Sequence, residues 1–256
     1  MREFRWVLVA ALFAIVNFAQ GNDKNKGYYY QLKIYHLDSK IEEERMDRFL
    51  RDAYLPALRK AGIEHIGVFK PIAGDSSEQL IYVFIPSRSL ERLLSLDQVL
   101  TSDKEYLKNG TDYIDAPHND PPYARIESIL LKAFKGMPAP ALPQLSSPKR
   151  ERVYELRSYE SATEKIAQNK IDMFNEGEID IFTKLNFNAV FYGKVISGSH
   201  MPNLMYLTTF NNQADRDSHW SAFGPLYKPL SELPEHKDTQ TKNFKYFLYP
   251  TDYSDY

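Results

Sequence analysis

Hydrophobic and polar positions along the chain follow the same order in two halves. Each half begins with a segment in which apolar and polar side chains alternate, Tyr30–Tyr35 and Tyr154–Tyr159, as in a β-strand with two unlike faces. Apolar residues then recur at helical spacing, and a predicted strand hairpin, a second helix and a closing strand follow. The pattern therefore predicts strand, helix, strand, strand, helix, strand, twice.

The two halves also correspond residue by residue at an offset of 124 positions. This offset pairs Lys60 with Lys184, and it pairs Leu80–Tyr82 with Leu204–Tyr206. The identities are few, but they fall at equivalent points of the predicted elements. We interpret this agreement as an internal repeat.

The first helix of each half has a predicted start. The spacings Ser39-x-x-Glu42 and Ser161-x-x-Glu164 are typical of capping boxes, in which a hydroxyl and a carboxylate accept hydrogen bonds from free N–H groups. Two residues that disfavour helix interiors predict a kink or a local irregularity in these helices: Pro56 and Gly177.

The element order within each half is that of the ferredoxin-like unit. Its helices cover one face of the sheet and leave the other face bare. Two such units can bury their bare faces against each other, whereas independent units would leave aromatic strand faces in water. We therefore expect an α+β protein in which two tandem ferredoxin-like (βαββαβ) units form a pseudo-dimeric α/β barrel within one chain.

The chain divides into five predicted parts. They are a signal peptide, a first repeat, a proline-rich linker, a second repeat and a tail, at residues 1–20, 28–134, 135–151, 152–250 and 251–256. The proline-rich composition of the linker predicts a stiff, extended segment. The tail is polar enough that we expect it to be disordered.

The first residues have the pattern of a secretory signal peptide. Arg2 and Arg5 precede an apolar run that begins at Trp6, and the small residue Ala19 follows it. The run is too short to span a bilayer comfortably, although an uncleaved membrane anchor is the alternative. We expect an exported protein, periplasmic or secreted, with no membrane span after signal cleavage.

Composition removes several classes of function. The 256 residues include no cysteine, which excludes disulfides, zinc–thiolate sites, iron–sulfur clusters and cysteine nucleophiles. The formal net charge of -2 and a pI near 6.3 give no electrostatic sign of a nucleic-acid partner. The absence of disulfides in an exported protein implies a core that is stable without them.

Several segments resemble the NIPSNAP family. Val153–Glu160 resembles the strand that opens NIPSNAP domains, Ala214–Phe223 its second helix, and Tyr249–Ser254 its closing strand and tail. Leu131–Pro138 is similar to the junction in exported bacterial members with two repeats. The resemblance implies the dimeric α/β-barrel superfamily and no established catalytic set. Gly224–Tyr227 replaces the Asp-Pro-x-Trp turn of many members, which puts any role of that carboxylate in doubt.

The sequence predicts neither a metal site nor a cofactor. The six histidines show no pair at the i, i+4 spacing of a helical metal site, and no G-x-S-x-G or glycine-rich phosphate loop occurs. A haem ligand that faces the barrel is an open alternative, because distantly similar barrels bind haem. No histidine is singled out for that role.

The polar face of the two opening strands is the predicted ligand site. Strand parity places Lys33 with Tyr35, and Glu155 with Arg157 and Tyr159. If the apolar face meets the helices, these residues point into the barrel, where the arginine can bind a carboxylate and the tyrosines can stack on a ligand. The alternative is a buried ion network that fixes the seam between the halves.

Three functions remain open on sequence alone. The favoured one is an exported binding or accessory protein that takes a small polar or aromatic ligand, a protein partner or a second copy. A cofactor-poor oxygenase or isomerase that uses the barrel cavity is the enzymatic alternative, and it rests on analogy of fold. The third is a recognition module that uses exposed tyrosines of the tail, Tyr253 and Tyr256.

Overall fold

The computed structural model describes residues 27–74 and 78–256, so the predicted signal peptide lies outside the described residues. The first half contains four strands and five helices. They are β1 (Tyr29–Leu37), α1 (Lys40–Phe49), α2 (Leu55–Lys60), β2 (Gly67–Pro71), β3 (Gln79–Ser87), α3 (Leu90–Leu100), α4 (Lys104–Asn109), α5 (Thr111–Ile114) and β4 (Arg125–Ala133).

The second half contains four strands and three longer or paired helices. They are β5 (Val153–Glu160), α6 (Glu164–Met173), α7 (Ile179–Lys184), β6 (Phe191–Ser197), β7 (Asn203–Phe210), α8 (Gln213–Ser231) and β8 (Lys242–Pro250). Lys60 and Lys184 end the equivalent helices α2 and α7, as the offset predicts. In the part of the chain that the structure describes, no helix is long and apolar enough to span a bilayer.

The eight strands form one closed barrel in the order β1-β3-β2-β8-β5-β7-β6-β4. All neighbouring strands are antiparallel, and the two halves meet where β2 pairs with β8 and β4 pairs with β6. Closure leaves no unpaired sheet edge among these strands. The mixed α/β barrel that the sequence predicts is therefore confirmed.

The apolar face of the opening strands points into the barrel, which is the reverse of the predicted orientation. Tyr30 is fully buried there, and its ring centroid lies 5.1 Å from that of Phe84 and 5.2 Å from that of Phe191. The inner face is buried by closure of the barrel and the outer face by the helices. The more apolar face therefore fills the interior, while the polar face meets helix side chains that can satisfy it.

Each predicted helix irregularity is a π-helical turn. Leu50–Tyr54 separates α1 from α2, and Phe174–Glu178 separates α6 from α7, at positions 124 residues apart. Gly177 lies within the second turn, and Pro56 is the second residue after the first. The two halves therefore share even this uncommon local geometry.

The helix starts match the prediction in the first half only. Ser39 caps α1 by accepting a hydrogen bond from the Glu42 N–H at 3.2 Å. In the second half Thr163 caps α6, whereas the Ser161 hydroxyl donates to the Thr239 carbonyl at 2.6 Å. The predicted cap at Ser161 is wrong because that hydroxyl is used by a tertiary contact.

The middle hairpins differ by one residue in length. Gly67 lies opposite Phe84, whereas the equivalent Phe191 lies opposite Leu207. As a result Tyr206 pairs with a residue of the outer face of β5, although Tyr82 belongs to the barrel interior. The predicted equivalence of Leu80–Tyr82 with Leu204–Tyr206 is therefore displaced by one position.

The C-terminal tail is ordered and closes one end of the barrel. The Thr251 N–H donates to the Val68 carbonyl at 2.9 Å, and the Ser254 hydroxyl accepts from the Val68 N–H at 3.0 Å. Tyr256 is 3% exposed and packs against Phe69 and Phe84. The expectation of a disordered tail with exposed tyrosines is wrong, because Tyr256 fills the barrel interior and the Tyr253 hydroxyl donates to Asp47 Oδ1 at 2.5 Å.

Candidate ligand site at the barrel mouth

The end of the barrel opposite the tail opens into a cavity of about 330 Å³, which we call the barrel mouth. Its volume is at the lower end of the range of small-molecule sites. The stacked rings of Phe84 and Phe191, with centroids 4.8 Å apart, block the interior below it. The floor and walls are apolar and include Ile129, Leu156, Met205, Tyr82 and Tyr246. The rim is polar and includes His36, Glu78, Glu127, Ser158 and Asn203.

His36 is the most constrained polar group of the rim. Its Nδ1 lies 2.9 Å from Glu78 Oε2, and its Nε2 lies 2.7 Å from Glu127 Oε1. Arg125 Nη2 forms a further ion pair with Glu127 at 3.1 Å. Contacts at both ring nitrogens fix the orientation of the imidazole at the edge of the cavity.

A second polar group faces the cavity from β5 and β7. Asn203 Nδ2 donates to Ser158 Oγ at 2.9 Å, and both side chains are buried. Asn203 Oδ1 has no hydrogen-bond partner among the described residues. A buried acceptor without a partner is uncommon in folded proteins and is typical of sites that bind water or a ligand.

Two tyrosines form the aromatic walls of the barrel mouth. The ring centroids of Tyr82 and Tyr246 lie 6.3 Å apart. Burial, with smaller contributions from the charges of Glu127 and Glu160, raises the pKa of the Tyr246 hydroxyl. The hydroxyl therefore stays protonated at neutral pH, so the walls can stack on a flat ligand and still donate a hydrogen bond.

Three of the predicted site residues come together outside the barrel, between β5 and α8. Arg157 Nε donates to Glu155 Oε1 at 2.6 Å, and Arg157 Nη1 donates to the Tyr159 hydroxyl at 3.0 Å. Arg216 Nε and Trp220 Nε1 each donate to Glu155 Oε2 at 2.7 Å. The Arg157 guanidinium also lies 3.6 Å from the centroid of the Trp220 ring. Every charged group of this cluster has a protein partner.

The electrostatics of this cluster favour a charged carboxylate. Burial raises the pKa of the Glu155 carboxyl, but hydrogen bonds from Arg216 and the charges of Arg157 and Arg216 outweigh burial. The pKa therefore lies below its ordinary value. Burial raises the pKa of Tyr159, whose hydroxyl lies 2.6 Å from that of Tyr206.

Lys33 and Tyr35 lie in the other half and face its helices. Lys33 Nζ is 3.4 Å from Asp97 Oδ1 and 5.2 Å from the centroid of the Tyr54 ring. The Tyr35 ring packs edge-on to that of Tyr123 at 5.4 Å. The five predicted residues thus form two separate groups, and the ion network joins a strand to its own helix instead of fixing the seam. Ligand binding by these residues stays a prediction.

Sequence reasoning missed the barrel mouth because it assigned the strand faces in the wrong sense. His36 continues the inner series of Tyr30, Leu32 and Ile34, so parity alone places it at the end of the inner face. The signal was present once that face was known. Glu78 and Tyr246 had no comparable signal, since hairpin and barrel closure bring them there.

The residues present do not fit a haem in the barrel. The interior is filled by aromatic rings, and His36 engages carboxylates through both ring nitrogens. His219 Nδ1 contacts the Asp215 carbonyl at 2.7 Å within α8. Residues 27–74 and 78–256 contain no group of three histidine, aspartate or glutamate side chains suited to a metal ion.

Solved structures resemble the chain in fold. A candidate monooxygenase from Lactobacillus acidophilus matches with a TM-score of 0.56 at 9% identity, over 88% of this chain and 94% of that chain. A variant of chlorite dismutase from Candidatus Nitrospira defluvii matches with a TM-score of 0.50 at 8% identity, over 89% of this chain and 92% of that one. At this identity the likeness shows a shared barrel fold alone.

A NIPSNAP family protein from Agrobacterium tumefaciens matches at 17% identity with a TM-score of 0.34, over 45% of this chain and 97% of its own length. No curated protein matches the sequence. The NIPSNAP family model matches residues 154–255, which include the strand, the helix and the tail that carry the resemblance. The second half of the chain is therefore a NIPSNAP domain, as its sequence predicts.

Proposed function

We propose that the protein is an exported binding protein that holds a small, flat, partly polar molecule in the barrel mouth. The observation that carries the proposal is a cavity with an apolar floor, aromatic walls and a polar rim at the one open end of a packed barrel. Such a combination is typical of small-molecule sites, in which apolar contact supplies affinity and a few polar groups supply orientation. The cavity is complete within one chain, so it needs neither a second copy nor a protein partner.

The architecture that supports this proposal is a pair of ferredoxin-like units. Both halves have the same element order, and in both the first strand pairs with the third and the fourth. The π-helical turns at the same offset also support an ancestral repeat. Export is supported by the pattern of residues 1–20.

The test is native mass spectrometry of the protein purified from its own compartment. We expect a bound small molecule in the wild type, its loss in Tyr246→Leu, and its retention in Tyr249→Leu. The second variant is the matched control, because Tyr249 lies on the same strand but outside the barrel mouth.

Two results contradict the proposal. One is an equal effect of the two variants on a retained molecule. The other is an empty protein that shows no saturable binding to a panel of aromatic acids and amides. The unfolding midpoints of both variants are measured first, so that loss of ligand is not confused with loss of fold.

An acid–base enzyme is the second candidate function, and the contact between His36 and Glu127 at the cavity edge favours it. Two fold neighbours carry the names of a candidate monooxygenase and a chlorite dismutase. If the enzyme hypothesis holds, aromatic substrates with an acidic C–H or O–H turn over, and Glu127→Gln lowers kcat more than it raises KM. Equal turnover by Glu127→Gln and the wild type excludes this role.

A further inference from the structure

A second concave site lies at the end of the barrel opposite the barrel mouth. It is a groove of about 380 Å³ between the turn after α2, the start of α3 and the linker. We call it the arginine groove, and its lining includes Tyr28, His65, Ser87, Arg88, Ser89 and Arg92.

Arg88 is held over an aromatic ring and lacks a carboxylate partner. Its guanidinium carbon lies 4.9 Å from the centroid of the Tyr28 ring. Tyr28 is anchored in turn, because its N–H donates to the Pro138 carbonyl at 2.7 Å. Among the described residues no acidic side chain pairs with Arg88. The guanidinium is therefore positioned by stacking and keeps its hydrogen-bond donors for another group.

Arg92 is positioned by a glycine. Gly62 has a φ of +77°, and a Cβ at this residue would lie 3.0 Å from Arg92 Nη2. The missing side chain lets the guanidinium lie against the backbone of the turn. No acidic side chain of the described residues pairs with Arg92 either. Glycine satisfies both the positive φ and the close approach.

The two arginines differ in this respect from most others in the described part of the chain. The arginines that form ion pairs with carboxylates are Arg45, Arg48, Arg51, Arg59, Arg125, Arg157 and Arg216. Two unpaired guanidinium groups in one groove are therefore not explained by the internal ion pairs of the fold. Their charges remain available to a bound anion.

The surroundings add donors and one opposing charge. Ser87 is buried, and its oxygen accepts a hydrogen bond from the Ser89 N–H at 3.1 Å, which leaves its hydroxyl hydrogen to donate. Ser89 caps α3, whose positive dipole end lies at the groove. His65 lines the groove as well, and Glu64 is the single carboxylate in the lining. Cationic and donor groups outnumber the acidic one.

We propose that the arginine groove binds the phosphate of a small phosphate monoester. Two guanidinium forks match the oxygens of a tetrahedral dianion, and the helix start and the Ser87 hydroxyl supply further donors. The aromatic ring of Tyr28 and the open volume beside it accommodate the organic part of the molecule. This site shares no lining residue with the barrel mouth, so a test of one site does not decide whether the other binds a ligand.

The experiment is a titration of the full chain with phenyl phosphate and, separately, with inorganic phosphate. Binding is measured by calorimetry and by changes in NMR chemical shift. We expect saturable binding of phenyl phosphate that is about tenfold weaker in Arg88→Ala and in Arg92→Ala, because each variant loses charge-assisted hydrogen bonds. Arg51→Ala is the matched control, since it removes an exposed arginine that is paired with Asp52. Its affinity stays within twofold of the wild type.

The alternative sources of the anion are separated in the same experiment. The protein could instead bind vesicles of phosphatidylglycerol in a manner that requires Arg88 and Arg92, and fail to bind phenyl phosphate. That result overturns the proposal of a small-molecule site in favour of a lipid surface. Equal affinity of all variants, or no saturation, also overturns it. Unfolding curves check that each variant is folded. We expect all of them to be, because both arginines are exposed and form no ion pair with the described residues.

Discussion

The two halves share a backbone but bury different chemistry between sheet and helices. On the opening strand, the second half carries Glu155 and Arg157 where the first half carries Gln31 and Lys33. The arginine is buried against Trp220, whereas Asp97, the only acidic partner of Lys33 among the described residues, is 83% exposed. The strand positions are equivalent, so the difference lies in the side chains that each helix layer supplies.

The same contrast recurs at the π-helical turns. In the second half Lys170 Nζ donates to Glu178 Oε2 at 2.7 Å and to the Tyr227 hydroxyl at 3.0 Å, and the lysine is fully buried. The equivalent residues of the first half are Met46 and Tyr54, which pack without an ion pair. Both halves form the π-helical turn, so the ion pair is not what produces it. Apolar packing is sufficient for the fold, and the polar network is a property of the NIPSNAP half.

The largest effect is expected when one partner of this buried pair is removed. Lys170→Met leaves the buried Glu178 carboxyl without its counter-ion, so the carboxyl is either charged and unpaired or forced to take up a proton. Either state lowers the free energy of unfolding, by about 3–5 kcal/mol. The matched double variant, Lys170→Met with Glu178→Tyr, installs the residues of the first half. We expect it to recover most of that loss in urea unfolding. A double variant less stable than the single one would show that the halves are not interchangeable at this site.

The next-largest effect is expected at Arg157, which we compare with Lys33, the equivalent cation on the opening strand of the first half. Arg157→Met removes the hydrogen bonds to Glu155 and Tyr159 and the contact with Trp220, which costs about 3 kcal/mol of unfolding free energy. Lys33→Met breaks a contact with an exposed carboxylate and a cation–π contact with Tyr54, and it costs about 1 kcal/mol or less. Urea unfolding of both variants measures the difference.

The outcome also decides between the roles predicted for Arg157. A folded Arg157→Met protein that has lost a ligand which Lys33→Met retains would assign this cluster to binding. A large loss of stability with unchanged ligand content would assign it to structure.

Sequence reasoning reached the barrel because its signals are local and repeated. Alternation in Tyr30–Tyr35 and Tyr154–Tyr159, helical spacing and turn residues agree on the element order in both halves. Pro56 and Gly177 predicted irregular helices because their effect on the backbone is intrinsic. These features need no knowledge of what each element packs against.

The predictions that were wrong concern features that depend on tertiary context. Both faces of β1 and β5 are buried, so alternation indicates a strand but not which face lies inside. Ser161 has the spacing of a cap, yet the contact with Thr239 competes for its hydroxyl. Tyr256 reads as part of a polar tail, although barrel closure creates the apolar place that its ring fills. The barrel mouth was not predicted because the alternation does not show which face of the opening strands lies inside.

The smallest of the three effects concerns the pH dependence of Glu155. Glu155→Gln installs the equivalent residue of the first half and lowers the free energy of unfolding at pH 7 by about 2 kcal/mol. The loss is smaller than for Lys170→Met and Arg157→Met because glutamine keeps one of the two acceptor oxygens that Arg157, Arg216 and Trp220 use. Gln31→Glu in the first half is the control. Gln31 is half-buried and its Nε2 donates to Ser128 Oγ at 2.9 Å, so we expect the loss of this hydrogen bond to cost about 0.5–1 kcal/mol.

The difference between the wild type and Glu155→Gln depends on pH in a defined direction. The pKa of Glu155 is lower in the folded protein than its ordinary value of 4.5, because the arginines outweigh burial. Its stabilising contribution is therefore complete above pH 4.5 and is lost as the pH falls through the lower pKa of the folded state. Burial raises the pKa of Glu178, but this carboxyl is common to both proteins and cancels in the difference. A gap between the two unfolding curves that stays constant from pH 7 to pH 3 would show that the charge of Glu155 does not stabilise the NIPSNAP half.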